Sequence, residues 1–400
     1  MKTTIIIAII FILSIIPELT FSQKIENKVD SFAFKTISDI QTTSVKNQYK
    51  SGTCWSFATT SFVETEILRI TGNKLDLSEI YNVYYAYIAK SESFTRLHGN
   101  ANFGPGGQAH DVLDVIKKYG LVQENDFTAL DYGTDKHEHG EIDQVLLSFI
   151  KSIVDNKNGV LSTAWHKSFA QIMQSYLGTI PEKVSFDGVQ MTASQLRDKL
   201  KFNPEDYIEL SSYTHHPFYE KFRLEIPDNW SFNANYYNLP IDELMQIIDY
   251  ALKNNYSVCW DGDVSERGFS HSNGVAIIPE NKIENLSNTE RAKWENITEK
   301  ILKDDAYNFK KPVPEKQITQ EMRQFNFDNY STTDDHLMHL TGIVEDQNGT
   351  IYYKTKNSWG ESNKFGGYLN MSKPYVELNT ISIMVHKDAI PKDLRKKLKL

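Results

Sequence analysis

The sequence is poor in cysteine. Only Cys54 and Cys259 occur in 400 residues, which excludes a framework of several disulfides. Neither belongs to a CxxC pair of the kind that holds structural zinc. The sequence also has no excess of positive charge, because it contains 43 Lys and Arg against 52 Asp and Glu, which gives a net charge of -9. We therefore expect no nucleic-acid partner, since nucleic-acid binding needs a basic surface.

Long hydrophobic runs are also absent. The longest apolar stretch, residues 5–16, is 12 residues long, well short of the roughly 20 that a membrane-spanning helix needs. It follows Lys2 and ends at Pro17, and Thr20 and Ser22 are suitably small for a cleavage site after residue 22. We predict a signal peptide over 1–22 and an exported protein, periplasmic or secreted, with no membrane attachment after cleavage. The alternative is an uncleaved membrane anchor.

The remaining composition is that of a globular protein with a large core. Hydrophobic residues make up 40% and aromatic residues 12%, and a chain of this length suggests more than one domain. Apolar residues recur at helical spacing mainly in the first half, whereas short β-type runs with turns between them follow residue 255. The pattern predicts an α+β fold with two lobes. Helices are expected over 54–70, 75–89, 108–119 and 141–156, and from residue 240 onwards.

The same pattern divides the chain into segments. Beyond the signal peptide we predict an N-terminal lead-in over 23–44 and a helical lobe over 45–130. A mainly helical insertion follows over 131–235. The last segment, 236–400, is predicted as a β-barrel-like lobe interrupted by a charged insertion at 281–325.

Cys54 stands where a helix is expected to begin, with Gln48 six residues before it. A thiolate is a strong nucleophile, and the positive end of a helix favours it. The side-chain amide of Gln48 and the backbone N–H of Cys54 could together stabilise an oxyanion at an attacked carbonyl. Taken alone, however, Cys54 could equally be a buried small hydrophobic residue, as free cysteines usually are.

A second group of polar residues lies far along the chain. His336 leads into an apolar strand, and Asn357 and Trp359 follow the next predicted hairpin. A nucleophilic cysteine needs a base, and the base needs a partner that fixes its tautomer. An asparagine amide oxygen can fill that role without adding charge, and a tryptophan can shield the bond from water. His339 is the alternative base, three residues further on.

Together these blocks resemble the papain-like cysteine peptidases, and within them the bleomycin hydrolase or aminopeptidase C branch. The resemblance implies a papain-like two-lobe fold with helical insertions and an active cleft between the lobes. It implies that Cys54 is the nucleophile, His336 the general base and acid, Asn357 its orienting residue and Gln48 the oxyanion donor. Gly106 and Gly107 resemble the stretch that binds substrate backbone, and we count Trp359 with them as substrate-binding. The motif residues are Gln48, Gly52, Cys54, Trp55, Gly106, Gly107, Gln108, His336, Met338, Thr341, Gly342, Asn357, Ser358, Trp359 and Gly360.

The resemblance also indicates a thiol protease that hydrolyses peptides without a cofactor or metal and acts as an aminopeptidase. A homo-oligomer is implied by the family alone. Two departures leave alternatives open. Ser51 stands where typical secreted members have a disulfide cysteine, and the basic stretch 391–400 differs from the branch's C-terminal arm. The alternatives are an endopeptidase whose arm is missing or altered, and a catalytically silent papain-like binding protein.

Overall fold

The structure is a computed structural model that describes residues 31–157, 159–280 and 306–400. The predicted signal peptide lies outside the described residues, as does the part of the charged insertion from 281 to 305. None of the helices in the three described ranges is long and apolar enough to cross a lipid bilayer.

The helical lobe is built around one central helix, α1 (Cys54–Thr71). Every residue from Trp55 to Ile67 is buried, so neighbouring elements cover this helix on all sides. It ends at Gly72, whose left-handed conformation (φ 76°) lets its N–H bond to the carbonyl of Leu68. The surrounding helices are α2 (Glu79–Arg96), α3 (Ala109–Tyr119), α4 (Gly140–Val154), α5 (Ala164–Leu177) and α6 (Ala193–Lys199).

One large, mainly antiparallel sheet forms the second lobe. Its strands are β1 (Phe34–Asp39), β4 (Tyr207–Ser211), β5 (Lys221–Phe222), β6 (Tyr236–Asn238), β7 (Val258–Gly262), β8 (Phe269–Ser270), β9 (Val275–Ala276), β10 (His336–Asp346), β11 (Ile351–Lys356), β12 (Tyr368–Ser372) and β13 (Thr380–His386). They pair in the order β5-β6-β4-β13-β7-β10-β11-β12-β9-β8, with β1 on β10. A separate hairpin joins β2 (Val184–Phe186) to β3 (Val189–Met191).

Both faces of this sheet are covered, and each face contributes to a different core. On one face Cys259, Leu337 and Met384 pack with the helical lobe. On the other, Trp260, Met338 and Ile383 pack with α7 (Ile241–Lys253) and with the last helix, α10 (Lys392–Leu398). Alternate residues of β7, β10 and β13 therefore point to opposite cores, as expected for strands that are buried on both faces. Two further helices, α8 (Gln320–Asp328) and α9 (Lys373–Asn379), complete the described structure.

The predicted α+β fold class is confirmed, but the described strands form an open path rather than a closed barrel. The domain division stays a prediction. Strands β4 and β5, which belong to the segment predicted as a mainly helical insertion, pair into the large sheet. The helix predicted at 75–89 begins later, at Glu79, because Ser78 caps it by accepting a hydrogen bond from the N–H of Tyr81.

Candidate active site

Cys54 is the first residue of α1, so the positive end of this buried helix lies at its thiol. The preceding turn is held by a 2.5 Å hydrogen bond between the hydroxyls of Ser51 and Thr53. Gly52 has a left-handed conformation (φ 61°), and a Cβ there would lie 2.9 Å from Pro105. The turn therefore depends on glycine. Unlike the buried Cys259, Cys54 retains some exposure to solvent.

His336 and Asn357 are brought together by β10 and by the turn after β11. His336 Nε2 lies 2.8 Å from Asn357 Oδ1. Because a carbonyl oxygen only accepts, Nε2 carries the proton and Nδ1 is left as the basic nitrogen. The ring of Trp359 lies over the imidazole, with centroids 4.8 Å apart. His336 and Asn357 are both buried, at 4% and 3% exposure, so water competes little for their bond.

The alternative base, His339, points elsewhere. It is fully buried, and its Nδ1 lies 3.0 Å from the hydroxyl of Ser61 in the middle of α1. Its ring packs edge-on against Phe62. His339 therefore belongs to the packing between α1 and the sheet, and His336 is the histidine paired with Asn357.

Gln48 is buried next to the same turn. Its Oε1 accepts a 2.6 Å hydrogen bond from the hydroxyl of Ser358, and its backbone N–H donates to the Ser358 carbonyl. This fixes the side-chain oxygen toward Ser358 and leaves the Nε2 amide as the available donor. The segment that carries Gln48 is itself held by backbone hydrogen bonds between Lys50 and residues 137 and 139.

Gly106 and Gly107 lie in close contact with their surroundings. A Cβ on Gly107 would come within 2.9 Å of the Trp55 ring, and one on Gly106 within 1.9 Å of a carboxylate oxygen of Asp228. The nearby ammonium of Lys90 donates to the backbone carbonyls of Gly104 and Gly106. Packing alone is thus enough to require glycine at both positions.

Burial dominates the electrostatics of the two reactive groups. It raises the pKa of the Cys54 thiol to about 12, against a hydrogen bond from the Leu337 backbone N–H that favours the thiolate. This bond places the sulfur at the backbone of Leu337, the residue that follows His336 at the start of β10. Burial also lowers the pKa of His336 to about 4, against the hydrogen bond to Asn357. An isolated charge on either group is therefore unfavourable, whereas proton transfer between them creates two charges that attract each other.

Three residues near this site were missed by the sequence reasoning. His271, in the turn between β8 and β9, accepts a hydrogen bond from Asn357 Nδ2 to its Nδ1 (3.3 Å) and packs against Trp359. Asp228 and Asp261 are close enough to Cys54 for their charges to raise the pKa of its thiol. All three come from segments distant in sequence, and no local motif marks them.

Two protein families of cysteine peptidases match parts of this chain. Residues 29–195 match the family described as "Papain family cysteine protease", and residues 293–400 match the "Peptidase C1-like family". The chain belongs to the papain-like cysteine peptidases. It is 22% identical to "Cysteine proteinase 1, mitochondrial" of Saccharomyces cerevisiae, covering 92% of this chain and 80% of that protein. It is 23% identical to aminopeptidase C of Listeria innocua, covering 89% and 83%.

A solved structure shares the fold. The crystal structure of PepW from Lactobacillus rhamnosis HN001 superposes with a TM-score of 0.67 at 20% identity, covering 91% of this chain and 84% of that one. The fold and the enzyme class predicted from sequence are therefore confirmed. As a papain-like peptidase, the protein acts on peptide substrates.

The predicted export of the protein is wrong. The yeast relative is named as mitochondrial and the bacterial relative is an aminopeptidase, and these names do not describe secreted proteins. The prediction depended on one apolar run of 12 residues, and an apolar run that short is not specific to signal peptides.

Proposed function

We propose that the protein is an aminopeptidase that removes N-terminal residues through Cys54, His336 and Asn357. The observation that carries the proposal is the 2.8 Å bond between His336 Nε2 and Asn357 Oδ1, formed beside the cysteine at the start of α1. The relative named aminopeptidase C supports the choice among peptidase activities.

The first step is attack on the substrate carbonyl. His336 Nδ1 takes the proton of the Cys54 thiol, and the sulfur forms a bond to the carbonyl carbon. Asn357 holds the ring in the orientation that this transfer needs and stabilises the imidazolium. Trp359 covers the bond between His336 and Asn357 and borders the substrate.

The negative charge that develops on the carbonyl oxygen needs donors. The Nε2 amide of Gln48 and the backbone N–H of Cys54 supply them. The hydrogen bond from Ser358 holds the oxygen of the Gln48 amide, which leaves its Nε2 free to donate to the oxyanion. Because Gln48 is neutral, it stabilises the oxyanion without competing for the thiolate.

The tetrahedral intermediate formed by this attack then breaks down to products in two steps. The carbon–nitrogen bond breaks as His336 gives its proton to the leaving amine, and a thioester remains on Cys54. Water attacks this thioester with His336 as base, which releases the carboxylic acid and restores the thiol. Gly106 and Gly107 would bind the substrate backbone, since a backbone without side chains allows close approach.

Labelling with a thiol-directed epoxide tests the nucleophile. We expect one label per chain, on Cys54, and no label and no peptidase activity in Cys54→Ala. The matched control is Cys259→Ala, which removes a sulfur that is 1% exposed in the core and should label and turn over like the parent. Activity in Cys54→Ala, or labelling that requires Cys259, would refute the assignment. Failure of the parent protein to label or turn over would favour the silent binding protein.

Hydrolysis of free and N-acetylated forms of one fluorogenic peptide tests the aminopeptidase activity. We expect the free amine to be strongly preferred. Equal or faster hydrolysis of the acetylated peptide would instead make the protein an endopeptidase with an open cleft.

The homo-oligomer implied by the family remains a prediction. Light scattering coupled to gel filtration tests it, and a mass near the 46.0 kDa of one chain would contradict it.

A further inference from the structure

Three carboxyl groups from different parts of the chain meet beside Cys54. Asp261 comes from β7, Asp334 from the segment just before β10, and Asp228 from the loop between β5 and β6. We call them the acidic cluster. The charges of all three raise the pKa of the Cys54 thiol, which places the cluster within electrostatic reach of the reacting sulfur.

The positions of the three groups are well defined. Asp334 Oδ2 accepts a 3.1 Å hydrogen bond from the amide of Gln108, which is itself buried at the start of α3. Asp228 Oδ1 accepts a 2.9 Å bond from Asn102, and its carboxylate lies directly against Gly106. The cluster therefore extends from the sheet lobe to the paired glycines of the helical lobe.

Asp261 is the member that points to a ligand. It is 2% exposed, and no hydrogen-bond donor among the described residues reaches its Oδ1. Its carboxyl group is adjacent to that of Asp334, and burial first, then the negative charge of Asp334, raise the pKa of Asp261. Its other oxygen, Oδ2, accepts a 3.4 Å hydrogen bond from the hydroxyl of Ser382. Oδ1 is therefore the buried oxygen that has no donor, and leaving it so is costly. Lys90, whose charge acts on Asp228, donates to the carbonyls of Gly104 and Gly106.

We propose that the acidic cluster binds the α-ammonium group of the peptide substrate, the group that distinguishes an aminopeptidase substrate from an internal peptide. The inference rests on the proposed function and deepens it. An ammonium has three N–H donors and one positive charge, so it can donate to Asp261 Oδ1, Asp334 and Asp228 together. It relieves the repulsion between Asp261 and Asp334 as it binds.

The covalent geometry of a substrate agrees with this location. The α-nitrogen is two bonds, of about 1.46 and 1.52 Å, from the carbonyl carbon that the sulfur attacks. A site for this nitrogen must therefore lie close to Cys54, as the acidic cluster does.

The test compares alanyl and propionyl amides of 7-amino-4-methylcoumarin, which differ only by the amine. We expect the parent protein to prefer the alanyl substrate. In Asp261→Asn and in Asp334→Asn the preference should fall roughly 10- to 100-fold, the loss expected for a hydrogen bond to a charged group. Most of the change should appear in KM for the alanyl substrate. The control Asp187→Asn, at the exposed turn of the β2–β3 hairpin, should keep the preference of the parent.

A second measurement uses the unmodified protein and does not depend on the folding of a variant. Alaninamide should slow epoxide labelling of Cys54 by occupying the cleft, whereas propionamide at the same concentration should not. Equal protection by the two amides would overturn the proposal.

The outcomes distinguish failure of the aminopeptidase function from failure of the acidic cluster as its amine-binding site. If the parent shows no preference for the alanyl substrate, the aminopeptidase function itself fails. If the parent shows the preference and both folded variants keep it, only the acidic cluster is refuted. If the variants lose only hydrolysis of acetyl-lysyl-alanyl-coumarin, the cluster binds a basic side chain and the proposal is equally overturned.

Discussion

At the scale of single residues, Asn357 has the most specific role because its one oxygen fixes the tautomer of His336. In Asn357→Ala the ring would be free to turn, and Nδ1 would no longer be held as the base. We expect kcat to fall about tenfold or more, the equivalent of one buried hydrogen bond, with KM little changed. Steady-state kinetics on one fluorogenic peptide checks this. An unchanged kcat would show that Asn357 does not orient the base.

The raised pKa of Asp334 predicts how the stability of the folded protein depends on pH. Burial first, and the charge of Asp228 second, raise its pKa from an ordinary 3.8 to about 7. Below pH 3.8 Asp334 is protonated in the folded and the unfolded chain alike. As pH rises toward 7 the unfolded chain releases this proton first, so the folded state loses stability over that interval.

Melting temperatures between pH 4 and pH 8 test this expectation. The parent should lose more stability than Asp334→Asn across the interval, because the variant has no proton to lose at that position. Other buried acids titrate in both proteins, so the difference between the two curves isolates Asp334 together with its effect on Asp261. Parallel curves would contradict the raised pKa.

At the scale of elements, α1 depends on the turn that starts it. Gly52→Ala adds a Cβ 2.9 Å from Pro105 at a left-handed φ, so it should lower the melting temperature and displace Cys54, reducing kcat/KM. The matched control is Gly72→Ala at the other end of the same helix, where φ is 76° and nothing lies within 4 Å of a Cβ. Gly72→Ala should therefore cost only the strain of a side chain at a left-handed φ, about 1 kcal/mol of stability. Equal losses of activity in the two variants would refute a role for the turn.

The elements also show what could be predicted from sequence. The apolar pattern predicted a helix over 108–119 and another from residue 240 onwards, and α3 and the start of α7 lie within one residue of these bounds because each helix buries one side against a core. Strand β10 begins at His336 itself rather than after it, because polar His336 and His339 are both buried in the strand. Alternation cannot reveal a strand whose polar residues have buried partners.

The sequence also predicted only part of the candidate site. Cys54, Gln48, His336 and Asn357 stand in local motifs, so the sequence was enough to single them out. Asp228, Asp261 and His271 reach the site only through the pairing of distant strands and loops, and their neighbours in sequence carry no signal. Tertiary structure alone brings such residues together.

At the scale of the whole molecule, the two lobes are joined by a buried polar network around Lys356. Its ammonium donates to the hydroxyls of Ser61 (2.7 Å) and Thr43 (3.1 Å). The positive charge also compensates Glu64, which is 1% exposed and accepts from Thr43 and from the Leu77 N–H. Lys356 is 3% exposed, so this network is shielded from water.

Removing the cation should therefore destabilise the protein strongly. Lys356→Met leaves Glu64 buried without its compensating charge, and we expect the unfolding free energy to fall by roughly 3 kcal/mol or more. Adding Glu64→Gln should recover part of the loss. The control Lys354→Met, on the same strand, removes an exposed pair with Asp39 and should cost under about 1 kcal/mol. Urea denaturation measures all three, and equal effects of the two lysine changes would contradict the coupling.

The acidic cluster has one more consequence, for the chemical lifetime of the enzyme. Peroxides oxidise cysteines mainly as thiolates, and burial, together with the charges of these carboxylates, raises the pKa of the Cys54 thiol. A resting molecule should therefore lose this sulfur to oxidation only slowly, because burial first and the neighbouring carboxylates second retain its proton.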